Sequence, residues 1–529
     1  MTAQMSVTAG KDSKDRVISS PTHSKLRQFS VGVVASFNGL IWGLVIGYSS
    51  PAVDSFITDG FMPFYLSDSL KSLIGSIPNA GAVVGNAISG PVTARLGRRR
   101  IFQLAMLPQI LAWVLLGFSR NPAMALTARV IQGALADFWG PVAQLYAAEI
   151  AHPDLRDSIG ALTMFELATG MFLGYAIGGC LRWDHMAFLV AGFLTLLWPL
   201  TFLLPESPVY LLSKDRVDEA RVALQWLRGP GYNSDEELET LRLNQSANHK
   251  ADQFSSDDKK KTSFKDLFTP ATMKPLMLVL LLLTLRQWTG PYAVYTFVVE
   301  IFQLSGSSAN PHASSMIVGA MTLVFQFLAV GAVRRFGKKR LGVMSAAFLF
   351  AGHFGVGFYF YLVESGAGVS GGLNYLPLIS MCVTLMGFNL GLCSFPFVLM
   401  GELLPEKIRD TAAGLCFSWN CIMAFIVVET FYPMTRGIRI SGTFGVYCVV
   451  SLITALVIIF CAPNTQGKSL AELQNSFDAG PPKKNAVYPE DSFKNIVIVV
   501  TNNAVNKSKE AAKSAEKESN DHNLVNVAG

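Results

Sequence analysis

Gly90-Pro-Val-Thr-Ala-Arg-Leu-Gly-Arg-Arg-Arg100 closes one long apolar run and opens another. Such a stretch reads as a tight basic turn between two membrane helices. Gly97 lets the backbone reverse, since a residue without Cβ tolerates positive φ. Arginines cannot follow the chain into lipid, so they hold the turn at the cytoplasmic surface. Two hundred and more residues later Val333-Arg-Arg-Phe-Gly-Lys-Lys-Arg340 repeats the turn, again between apolar runs. Glu149 and Arg156 are spaced as Glu402 and Arg409 are, each pair just past an apolar run. Pro205-Glu-Ser-Pro208 closes the first half as Pro463-Asn-Thr-Gln-Gly467 closes the second. Three marks repeated in one order define an internally duplicated membrane protein, the plan of a transporter.

Composition agrees. Of the 529 residues 51% are hydrophobic and only 15% charged, where soluble proteins carry about 25%. The net charge of +6 does not indicate nucleic-acid binding, because the basic residues sit in short turns and tails as a positive-inside orientation requires. The seven cysteines lie in or beside apolar runs, which suits small packing residues rather than disulfides or a metal site. No nucleotide loop, metal cluster or catalytic triad is visible, so neither an enzyme nor a cofactor is expected.

Apolar runs fall near 29–50, 72–93, 100–119, 123–147, 159–181 and 186–204, then near 275–300, 314–333, 341–363, 374–400, 411–432 and 443–462. Each approaches the roughly 20 residues of a spanning helix. The expected fold is an all-α membrane protein of twelve helices in two six-helix halves. Its parts are a cytoplasmic N-tail (1–28), an N-terminal bundle (29–205), a linker with amphipathic helices (206–274), a C-terminal bundle (275–463) and a cytoplasmic C-tail (464–529). Asp218–Arg228 and Glu236–Arg242 are the linker helices, and Asn248–Thr262 reads as a polar connector. The sequons at Asn244 and Asn506 fall on the cytoplasmic side and should not be glycosylated.

The order of these marks resembles the sugar-porter branch of the major facilitator superfamily, from about Gly47 to Leu473. Ala223-Leu-Gln-Trp-Leu-Arg-Gly229 and Gly47-Tyr-Ser-Ser-Pro51 resemble the insect trehalose and glucose facilitators within it. The resemblance implies a charge lattice at the cytoplasmic helix ends that braces the outward-open state. Here its members would be Arg95, Arg98, Arg99, Glu149, Arg156 and Glu206 in the first half, with Arg335, Lys338, Lys339, Glu402 and Arg409 in the second. The chain departs from the family at Ala94 and Arg334, where Asp is usual, at Asp157 and Asp410 for Gly, and at Asn464 and Gln466 of the closing motif.

In such porters helices 5, 7 and 10 supply the sugar contacts. Arg286-Gln-Trp-Thr-Gly-Pro-Tyr292 resembles the helix 7 motif, matching at Gln287, Thr289 and Gly290 but with Arg286 for Gln and Tyr292 for Asn. The helix 5 glutamine falls at Met164, and Asn420 matches the helix 11 asparagine. The implied solute set is Gln287, Thr289, Asn389, Asn420 and Arg286, walled by Tyr292, Tyr295, Phe388, Phe397 and Trp419. For any single aromatic plain packing is the better reading; for Gln287 and Asn420 the site is.

Charges within spans are expensive, about 2.5–3.5 kcal/mol each at a helix centre. Arg129, Asp137, Glu166, Arg286, Glu300 and Glu429 all need partners, and a pair between Arg286 and Glu166 would satisfy two. Ser49 stands where proton-coupled relatives carry Asp, which favours facilitated diffusion. The function implied is alternating-access transport of a glucose- or trehalose-like sugar across the plasma membrane, multi-pass, with both termini cytoplasmic. An anionic or other non-sugar solute, and a non-transporting solute sensor, are the alternatives. The partners expected are the small solute and the lipid bilayer, with no nucleic acid.

Overall fold

The computed structural model describes residues 22–58, 67–152, 155–229, 232–243, 270–307, 309–367, 371–404 and 409–464. The first half contains α1 (Thr22–Ala35), α2 (Phe37–Thr58), α3 (Asp68–Leu96), α4 (Arg98–Gly117), α5 (Pro122–Ile150), α6 (Arg156–Gly178) and α7 (Trp183–Thr201). Two short helices follow, α8 (Pro208–Ser213) and α9 (Val217–Arg228), then a helical stretch over 234–243, here α10. The second half contains α11 (Pro270–Trp288), α12 (Pro291–Leu304), α13 (Pro311–Phe336), α14 (Lys338–Glu364), α15 (Leu376–Gly387), α16 (Phe395–Leu403), α17 (Arg409–Glu429) and α18 (Phe431–Phe460). Taken as spans these are twelve, six per half: α1–α2, α3 to α7, the broken pair α11–α12, α13, α14, α15–α16, α17 and α18.

Among the described residues nine helices are long and apolar enough by themselves to cross a membrane. The other three spans are α3, α5 and α11–α12. Of these α5 bears Arg129 and Asp137, and α11–α12 is interrupted at Thr289 and Gly290. The break divides that last span into α11 and α12, so neither helix by itself makes the whole crossing.

Close approach is built into the first half by glycine. A Cβ on Gly39 would lie 2.1 Å from the Thr163 carbonyl oxygen, and one on Gly43 2.1 Å from that of Leu167. The α2 and α6 backbones therefore touch, as small residues permit in membrane bundles. That seam also decides Glu166. It lies on α6 one turn from Thr163 and Gly170, on the face turned to α2, and accepts a 2.8 Å hydrogen bond from Ser36 Oγ. The expected pair between Glu166 and Arg286 is thus not made.

Two spans depart from straight helices. Between α15 and α16 the chain makes a π turn at Phe388–Leu392, with Cys393 N donating to Phe388 O at 2.9 Å. The stretch between the apolar runs near 411–432 and 443–462 is helical from Phe431, and α18 breaks at Arg439, a non-glycine at φ 63°. Glu364 accepts from Ser441 N at 3.2 Å and from Ser441 Oγ just past the break.

Candidate solute site and gating contacts

The α11–α12 break sets the centre of the second half. Gly290 takes φ +84°, Pro291 starts α12, and a Cβ at Gly290 would meet Tyr447 at 2.5 Å. The carbonyl freed at Thr289 faces His353 Nε2 at 2.7 Å, while the Thr289 hydroxyl donates to Arg286 O at 2.8 Å. Thr289 is therefore committed to the backbone of the break rather than to the amides beside it.

One turn earlier, Arg286, Gln287 and Asn420 meet. Asn420 Oδ1 accepts from Arg286 Nη1 and from Gln287 Nε2, both at 2.8 Å. Arg286 Nε donates to Cys393 O at 3.2 Å. The guanidinium sits 5.0 Å from the Phe388 ring centre, 5.4 Å from Phe397 and 5.8 Å from Tyr292. Three aromatic faces attract a cation through their quadrupoles, which together with two carbonyl acceptors explains how a buried charge is held without a carboxylate. Gln287 is fully buried and its Oε1 has no partner among the described residues.

Other expected members stand apart. Asn389, in the π turn, donates to Tyr295 Oη at 2.9 Å and to Leu385 O at 2.7 Å. Trp419 donates to Thr284 Oγ1 at 2.9 Å and packs with the α11, α16 and α17 core. Phe397 also stacks on Phe417 at 5.1 Å. Sequence reasoning missed the bridge to the first half. Cys421 Sγ donates to Asp137 Oδ2 at 3.2 Å, and Asn86 Nδ2 donates to the same oxygen at 3.2 Å. Asp137 was visible as a charge in a span, but nothing in the sequence pointed to Asn86 or Cys421.

Ser49 is buried and accepts from Arg129 Nη2. Arg129 also donates to Val45 O at 3.0 Å, Ile74 O at 3.2 Å and Gln132 Oε1 at 3.1 Å, beneath the Tyr48 ring. Backbone carbonyls satisfy this arginine and tie α2, α3 and α5 together.

The lattice at the basic turns is described in part. Arg98 pairs with Glu149 at 2.6 Å and Lys338 with Glu402. Glu206 Oε1 accepts from the backbone N–H groups of Arg98 and Arg99 at 2.9 and 3.3 Å. Arg99 donates to Phe202 O at 2.9 Å, and Lys339 to Ile459 O and Ala462 O at 2.9 and 2.7 Å. Arg95 and Arg335 are exposed. Each of these named contacts runs within one half, so they fasten helices rather than brace the halves against each other. The side chains of Arg156 and Arg409 lie outside the described residues, as do those of Asp157, Arg334 and Asp410, the sequons, the 248–262 connector and the chain beyond 464.

Contacts between halves gather at the far end. Glu429 Oε2 accepts from Ser72 and Ser76 at 2.9 Å each, and Asp68 pairs with Arg436. Asp54 accepts from Gln303 Nε2 at 2.6 Å and lies 3.0 Å from His312 Nε2, while Val299 N donates to Ser50 Oγ at 2.9 Å. Glu429 thus has its partners in this clasp. Glu300 accepts from Tyr432 Oη within the second half.

A duplicated bundle with a broken helix and a polar, aromatic-walled centre defines a membrane carrier. The family described as sugar (and other) transporter matches residues 31–477, and the chain belongs to it; its relatives are transporters, not enzymes. It is 32% identical over 455 residues to the facilitated trehalose transporter Tret1 of Bombyx mori, covering 86% of this chain and 87% of that one. It is 32% identical over 450 residues to the Tret1 of Aedes aegypti, but spans only 54% of that longer relative. In fold it is similar to the inward-open xylose transporter XylE of E. coli, with a TM-score of 0.68 at 21% identity over 85% of this chain and 99% of that one. The fold is that of the major facilitator superfamily.

Proposed function

We propose that this chain carries a neutral sugar of the glucose or trehalose kind by facilitated diffusion, at the site formed by Gln287, Asn420 and the aromatic faces around them. The observation that carries the reading is the amide pair beside the helix break. Among the described residues Gln287 keeps a buried acceptor without a partner, and a sugar hydroxyl supplies the donor it lacks. Rings flanking such amides suit the apolar face of a pyranose. The relatives' trehalose assignment supports the same class.

With the basic turns cytoplasmic, both termini are cytoplasmic too and the far-end clasp closes the outside. The structure then corresponds to the inward-facing member of an alternating cycle at the plasma membrane. Ser49 accepting from Arg129 leaves no carboxylate at that point to load a proton. Uptake into proteoliposomes of labelled glucose, trehalose and organic anions tests the substrate. Gln287→Ala and Asn420→Ala should each raise KM about tenfold, the loss of roughly one hydrogen bond to a polar ligand. An imposed proton gradient should leave sugar distribution at equilibrium; accumulation above it would overturn facilitated diffusion.

A second reading, an anionic solute, is favoured by one observation: every described hydrogen-bond partner of Arg286 is neutral. Anion uptake in place of sugar uptake in that panel would select it.

A further inference from the structure

We infer that Asp137 is the counter-charge of Arg286 across the two halves, and that this couple makes Asp137 a residue determining specificity for a neutral solute. The inference rests on the sugar reading of the site. Asp137 belongs to α5 in the first half and Arg286 to α11 in the second. Each reaches one of two consecutive residues of α17. Arg286 Nη1 donates to Asn420 Oδ1 at 2.8 Å, and Cys421 Sγ donates to Asp137 Oδ2 at 3.2 Å. One bonded chain therefore runs from Arg286 through Asn420 and Cys421 to Asp137 and on to Asn86 of α3. The Tyr292 ring lies 5.8 Å from the guanidinium.

Neither charge has a closer counterpart among its described bonds. Those of Arg286 go to an amide, a carbonyl and the Cys393 sulfur, and those of Asp137 come from an amide and a thiol. Glu166, the other acid considered for Arg286, is turned to the α2 seam. The rings and carbonyls around Arg286 bond the guanidinium without cancelling its charge, and Asp137 is the opposite charge joined to it through α17. The consequence is selective. With both present the centre is electrically neutral and favours an uncharged solute. Without Asp137 the guanidinium is uncompensated and favours an anion; without Arg286 the carboxylate is uncompensated and repels one. Because the couple spans both halves, their separation during the cycle must stretch it, and a solute entering between them takes over its hydrogen bonds.

The test uses the full chain in proteoliposomes, as wild type, Asp137→Asn, Arg286→Gln and the double variant. Labelled glucose and trehalose are the neutral probes and glucuronate the anionic one, with folded yield recorded for all four proteins. Each single variant should lose tenfold or more of neutral-sugar uptake or of folded yield, and Asp137→Asn should lower the KM for glucuronate relative to that for glucose. The double variant should recover at least threefold over either single one, because both charges vanish together. Neutral-sugar uptake and folded yield both within twofold of wild type in Asp137→Asn would overturn the inference. So would a double variant no better than the singles in both uptake and yield. Wild-type protein that carries glucuronate and neither sugar would break the sugar reading alone. The couple would still be judged by the same double-variant comparison on glucuronate.

Discussion

The two basic turns of the chain are sequence copies with the same backbone, and the first carries a fastening that the second lacks among the described residues. Gly97 (φ 83°, ψ 175°) and Gly337 (φ 78°, ψ 156°) each cap one helix and start the next, with N–H bonds to Thr93 O and Val333 O. This region of the backbone map is almost closed to residues with a Cβ, so glycine is demanded twice by one geometry. Around Gly97 the first half adds Glu206, whose carboxylate caps the N-terminus of α4, where free N–H groups and the helix dipole favour an anion. Tyr210 closes the turn by donating to Arg95 O at 3.0 Å. The second half has the exposed Asn464 in the corresponding closing motif, while Lys339 reaches the carbonyls ending α18 as Arg99 reaches Phe202 O at the end of α7. Both halves cap a helix end with a base, Arg99 on Phe202 O and Lys339 on Ile459 O and Ala462 O, and among the described residues only the first adds an acid at the helix start. A duplicated fold therefore keeps its backbone where sterics dictate it, keeps the base at the helix end, and varies the acid at the helix start.

The largest effect expected from this contrast is at the glycines. Gly97→Ala forces a Cβ into a forbidden region and to 2.6 Å from Glu206 Oε2. It should cost about 3 kcal/mol or more, where the backbone strain alone costs about 1–3 kcal/mol. Gly337→Ala carries that strain at φ 78°, so the detergent-solubilised protein should melt lower with Gly97→Ala than with Gly337→Ala. Equal melting points would mean that the Glu206 side chain simply moves away.

Next come the two ion pairs. The side chains of Arg98 and Glu149 are 12% and 8% exposed, those of Lys338 and Glu402 38% and 28%. Glu149→Gln leaves a half-desolvated guanidinium and should destabilise by about 2 kcal/mol, below the 3–5 kcal/mol of a fully buried break. Glu402→Gln should fall below about 1 kcal/mol and shrink further in salt. Melting in low and high salt checks both, and a larger loss from Glu402→Gln would reverse the comparison.

A change smaller than that of Glu149→Gln is expected from Glu206→Ala, about 1 kcal/mol for a lost N-terminal cap. Hydrogen exchange should rise at the first turn of α4 and stay level at the first turn of α14. Exchange rising at both would show that the turns are coupled.

The smallest effect is pH-dependent and belongs to the first half. Arg228 pairs with Glu237 at 2.7 Å and donates to Ile150 O at 2.8 Å, docking α10 and α9 against the end of α5. Burial by itself would raise the Glu237 carboxyl, but the hydrogen bonds and charge of Arg228 outweigh it and hold the group below its ordinary value. A depressed carboxyl stabilises the folded state above its unfolded value, about 4.3, and loses that contribution as pH falls through the folded one. Protease cleavage near residue 230 should thus quicken only below about pH 4. Quickening already at pH 6 would assign it to another group.

Much of this was readable in one dimension. Length, hydropathy and three repeated marks fixed a duplicated twelve-span bundle, because a bilayer admits few ways to bury backbone. Gly97 and Gly337 announced their turns, and Gly290-Pro291 announced the break, since those residues encode local conformation. Gln287 and Asn420 stood out by motif and are bonded to each other in space. The partner of Arg286 was not readable. Glu166 was the natural candidate by element, yet the glycine seam between α2 and α6 turns it the other way, and that orientation depends on which helix face a neighbour covers. The bridge from Asp137 through Cys421 joins residues 284 apart, and no local pattern encodes a thiol as the link. The far-end clasp of Asp54, Asp68, Glu429 and Arg436 likewise exists only once the two halves are docked. Sequence determined what each segment is, because periodicity and backbone sterics are local; tertiary structure decided which charges meet, because electrostatic partners are chosen by packing across the whole bundle.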